Sequence, residues 1–79
     1  MALDEELKQE TEKWLQRIKS EREKITLIDK NKENFLNNID SYVADSEHFL
    51  ANGDLIRAFE AVIWAFAWME IGKELGIIR

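Results

Sequence analysis

The residues in this chain that could carry chemistry are few, and each grouping falls short of what its reaction needs. Asp45 and His48 stand three apart, on one edge of a helix. They offer two ligands where a metal site takes three or four. A helical di-iron centre requires paired Glu-x-x-His motifs, and the sequence contains none. Glu70 and Glu74 are four apart with Lys73 between them. Two carboxylates working as acid and base need a cleft that gives them different environments, whereas the end of a helix solvates both. There is no cysteine. Ser41 shares a face with His48 but lies two turns away, about 10 Å along the axis, too far for an activated hydroxyl. No glycine-rich phosphate loop occurs. The expectation is a non-enzyme with no catalytic, metal-binding or cofactor-binding residue.

Arg57 and Glu60 are a different case. They stand three apart at the start of an otherwise apolar segment that continues through Trp64, Trp68, Ile71 and Leu75. One reading pairs them with each other, or with Asp54, at the rim of a bundle. The other makes them polar contacts around an apolar centre, since tryptophan and arginine are enriched at binding hot spots. Arg57, Glu60, Trp64, Trp68, Ile71 and Leu75 are therefore the candidate interface residues. An alternative places a small-ligand or enzyme-accessory pocket near Arg57, Glu60 and Trp64.

Three helices are expected to position these residues. The 79 residues include no proline and only three glycines, which disfavours a turn-rich β fold. Residues 3–25 are rich in good helix formers, with Leu3, Leu7, Trp14, Leu15, Ile18 and Ile25 along a narrow stripe. The β-branched run Ile25–Asp29 interrupts this pattern, and Asp29 or Asn31 is placed to cap a second helix over 29–51. One continuous helix from 3 to 51 is the alternative. Ala51-Asn52-Gly53-Asp54 is a clear stop and restart, so the second and third helices must be antiparallel neighbours. The third helix, 54–75, is apolar nearly all round. Leu55, Phe59, Val62, Ile63, Phe66 and Met69 form its expected core face, and Ala58, Ala61, Ala65 and Gly72 a flank open to close approach. The expected architecture is all-α, an up-down-up three-helix bundle forming a single domain over 1–79.

Composition narrows the partners. The formal net charge is −5. Without a basic excess there are no counterions to release from nucleic acid, and no attraction to an anionic membrane surface. The longest uninterrupted apolar run, Ala61–Met69, is half the length of a spanning helix. The acidic N-terminus lacks the basic start and apolar core of a secretory signal, and the expected location is cytoplasmic. A domain this small, with no disulfide, needs dense packing or a second chain. Covering the tryptophans takes either Trp14 and Leu15 of the first helix or another subunit. The expected partner is a second copy, as a homodimer, or another protein.

The segment from Tyr42 to Gly76 resembles the archaeal helical proteins grouped as domain-of-unknown-function family 357. The likeness rests on Tyr42, Asp45, Phe49, Gly53-Asp54, Ala58-Phe59, Trp64-Ala65, Trp68, Gly72 and Gly76. Members often carry tyrosine, and a following His-Gly pair, where this chain has Trp64 and Phe66-Ala67. They commonly have Asp where it has Glu70. The resemblance implies a three-helix bundle in an archaeal cytoplasm and brings no assigned activity.

Overall fold

A computed structural model describes residues 2–79. Among the described residues there are three α-helices: α1 (Ala2–Lys24), α2 (Asn34–Ala51) and α3 (Leu55–Glu74). In α1, Asp4 and Glu5 lie in the first turn and Arg22 and Lys24 in the last, each complementing the helix dipole. Thr11, Leu15 and Ile18, at steps of four and three, are its buried residues. The Thr11 hydroxyl is satisfied within the helix, donating to the Leu7 carbonyl at 2.8 Å.

Residues Ile25–Asp29 break the helix, so the continuous 3–51 alternative does not form. The reason lies fifty residues downstream. Leu27 pairs antiparallel with Ile78. The Thr26 N–H donates to the Arg79 carbonyl at 2.8 Å, and the Arg79 N–H returns the bond at 2.9 Å. Asp29 is a cap, accepting from the Asn31 N–H at 3.0 Å, but what it caps is a single 3-10 turn, Lys30–Lys32. The second helix accordingly starts at Asn34, five residues later than expected.

The α2–α3 turn is as anticipated. Gly53 takes φ 76°, a conformation that costs a residue with a Cβ. The Asp54 carboxylate accepts from the Arg57 N–H at 3.3 Å, capping α3. At the other end Gly76, with φ 73°, closes α3. The Ile77 N–H bonds the Gly72 carbonyl and the Gly76 N–H bonds that of Lys73, the paired pattern of a Schellman cap. This turns the chain back so that Ile77 and Ile78 enter the core.

The core face of α3 differs from the expected one. Ala58, Ala61, Val62, Ala65, Met69 and Gly72 are its buried residues. Of the expected face only Val62 and Met69 are buried; Leu55, Phe59 and Phe66 are half-buried, and Ile63 is 44% exposed. The cause is close approach. The Ser46 hydroxyl of α2 donates directly to the Ala58 carbonyl at 2.7 Å, and a Cβ at Gly72 would lie only 3.1–3.2 Å from Ile78 and Phe35. Large side chains do not fit at such a crossing, and the small stripe becomes its centre.

Helix α1 lies against both others. Two ion pairs join it to α2, Lys19 with Glu47 at 2.5 Å and Arg22 with Asp40 at 2.7 Å. Against α3, the Trp14 ring meets Phe66 edge-on with centroids 5.4 Å apart.

Candidate functional site

The outer side of α3 is built by the helix itself and by the seam it shares with α2. The turn at Gly53 sets the register. Tyr42 and Trp64 stand eleven residues either side of it, and their rings stack at 6.2 Å with 22° between planes. Further along, Trp68 meets Phe35 edge-on at 4.9 Å. Aromatic pairs of this kind contribute about 0.5–1.5 kcal/mol beyond area burial. Each tryptophan is thus fixed on its inner side by an α2 ring.

The outer sides remain open. Trp64 is 56% exposed, Ile71 49% and Leu75 65%, while Trp68 is half-buried. Between Trp64, Ala67, Trp68 and Ile71 runs an apolar groove of about 220 Å³. Helix α1 does not roof it. Trp14 is committed to Phe66 and held there, its indole N–H donating to Glu10 at 3.1 Å with Arg17 over the ring at 5.2 Å. Covering of the tryptophans by Trp14 and Leu15 therefore does not occur; Leu15 is in the core.

Of the six candidates, the structure brings Trp64, Trp68 and Ile71 together around the groove, with Leu75 one turn beyond. Arg57 and Glu60 do not line it. The Arg57 guanidinium instead lies 3.7 Å from Asp54, the rim pairing that the sequence offered as the plainer reading. A pocket shared by Arg57, Glu60 and Trp64 is not what forms at this groove. Sequence reasoning missed Ala67, Tyr42 and Phe35. The Tyr42 contact had a signal, its equal distance from Gly53 with Trp64.

Elsewhere the chemistry-bearing residues are spread out. The Nε2 atom of His48 lies 3.2 Å from the Asn52 amide nitrogen. Ser46 is buried with its hydroxyl given to a backbone carbonyl. Among the described residues there is no group of three or more His, Cys, Asp or Glu placed to hold a metal ion. No described helix is long and apolar enough to cross a membrane.

The model of a family described as "Protein of unknown function (DUF357)" matches residues 8–78. The chain belongs to this family. Membership takes in α1 as well as the C-terminal half that carries the recognisable motifs. A solved structure agrees: the crystal structure of protein AF1782 from Archaeoglobus fulgidus, described under the same family model, is 49% identical. The alignment covers 98% of this chain and 96% of that one, with a TM-score of 0.89. No curated protein matches. The DUF357 description carries no activity.

Proposed function

We propose that this DUF357 chain is a non-enzymatic helical interaction module that self-associates as a homodimer through the outer face of α3. One observation carries the reading: Trp64 stays 56% exposed even though Tyr42 stacks on it, and Ile71 and Leu75 extend the same open surface. A contiguous apolar patch of this kind on a small domain is a contact surface. The bundle that presents it is up-down-up. Support comes from α1 residues late in the helix meeting early α2 residues, Arg22 with Asp40, while the earlier Lys19 meets the later Glu47. The net charge of −5 favours a protein over nucleic acid or an anionic membrane as the partner. The cysteine-free chain and its archaeal relative fit a cytoplasmic location.

Sedimentation velocity over a concentration series tests the reading. The native chain should dimerise in the micromolar range, and Ile71→Lys should be monomeric with its helical circular dichroism retained. A native chain that stays monomeric throughout the series would refute the proposal.

A further inference from the structure

The groove on α3 has a specific form. Trp64, Ala67, Trp68 and Ile71 stand at i, i+3, i+4 and i+7. Four residues so spaced are the hole that receives one side chain of a facing helix in knobs-into-holes packing. Ala67 is its floor and the larger residues are its walls. Leu75 lies one turn beyond, on the stripe that runs through Trp64, Trp68 and Ile71. It is 65% exposed and takes no part in lining the hole. A hole and a knob on one stripe are the two halves of an isologous contact.

Resting on the self-association reading of this face, we infer that a second copy of the chain packs antiparallel on α3, with Leu75 of each copy seated in the Trp64–Ala67–Trp68–Ile71 hole of the other. The register follows from the spacing. The hole is centred between positions 67 and 68 and the knob is at 75, so the two-fold axis passes beside Ile71. The two Ile71 side chains meet across it. Charge is kept off the centre of the contact. The stripe from Trp64 to Leu75 carries no charge, and Glu60 falls beyond the end of the facing helix. At 100° per residue, Glu70 projects on the flank away from Trp68, outside the contact, and Glu74 lies on the Ala67 edge of the stripe, at the margin of the contact. The area is also sufficient. At about 150–250 Å² for a large side chain, the exposed fractions leave on the order of 400 Å² of apolar surface on the stripe. That is the apolar half of the ~800 Å² each partner gives to a standard interface.

Because the chain has no cysteine, introduced ones report the register directly. Ile71→Cys alone should oxidise to a disulfide-linked dimer. Ala67→Cys alone and Leu75→Cys alone should not, because each lies roughly 11–13 Å along the axis from its own copy, beyond the ~7 Å that a disulfide spans. A mixture of those two variants should cross-link. A parallel pair would instead link all three variants singly. Sedimentation of the unoxidised chain separates two failures. A dimer with any other cross-linking pattern overturns this register and leaves self-association standing; a monomer overturns both.

Discussion

Gly72→Ala should destabilise the chain, although the change improves helix propensity. Gly72 is buried within α3, and replacing a helical glycine by alanine ordinarily gains about 0.8–1 kcal/mol. Opposing this, the added methyl would lie 3.1 Å from Cδ1 and Cγ1 of Ile78 and 3.2 Å from Cδ2 of Phe35. Neither neighbour can retreat easily. Ile78 is almost wholly buried and its segment is bonded to Thr26–Asp29, while Phe35 is pinned edge-on by Trp68. Overpacking a tight site costs about 1–3 kcal/mol, so the net loss is expected at up to about 2 kcal/mol. In a domain of this size that corresponds to a fall in Tm of up to roughly 16 °C. Ile78→Val provides the control, since it removes Cδ1, one of the three crowded atoms. The double variant should lose less than the single losses added together, a coupling that a double-mutant cycle measures. A raised Tm for Gly72→Ala, or strict additivity with Ile78→Val, would show that the C-terminal segment does not pack on α3 as described.

Two further outcomes test the α2–α3 connection. Gly53→Val places a β-branched residue at φ 76°, with a loss of about 1–2 kcal/mol, and Asp54→Ala removes the α3 cap at about 0.5–2 kcal/mol; thermal melts unchanged in both would mean the turn is elsewhere. Ser46→Ala deletes the buried hydroxyl bond to Ala58 and should cost about 0.5–1.5 kcal/mol by chemical denaturation, with the slope unchanged.

The legibility of the fold divides by range of interaction. Gly53 and Asp54 could be read because a turn with positive φ and a cap is a local matter, complete within four residues. The break at Ile25–Asp29 was visible in its β-branched residues, but its structure was not. The partners of Thr26 and Ile28 are Arg79 and Ile77, and nothing near residue 27 announces them. For the same reason the expected start of α2 at 29 is too early: Asp29 has the chemistry of a cap, and only the backbone pairing before it decides that the cap serves a 3-10 turn. The Schellman closure at Gly76 was half legible. Glycine marked the stop, but the burial of Ile77 and Ile78 after it depends on the space above Gly72.

The observed face of α3 departs from the expected one for a physical reason that bears on function. When a helix is apolar nearly all round, hydrophobicity carries no phase, and size has to supply it. The expected face, with Phe59, Ile63 and Phe66, places the larger residues inward. Close packing reverses that order, because α2 and α3 approach near enough for Ser46 to reach the Ala58 carbonyl, and only alanine, glycine, valine and an adaptable methionine fit between them. The larger residues are displaced to the margins. On one margin α1 receives them, Trp14 against Phe66; on the other, α2 offers only Tyr42 and Phe35, one ring for each tryptophan. Each of those pairs covers an inner side and leaves an outer one. The open apolar face is thus a direct consequence of the alanine-rich crossing, and a change that widened the crossing enough to admit Trp64 would remove the surface along with it.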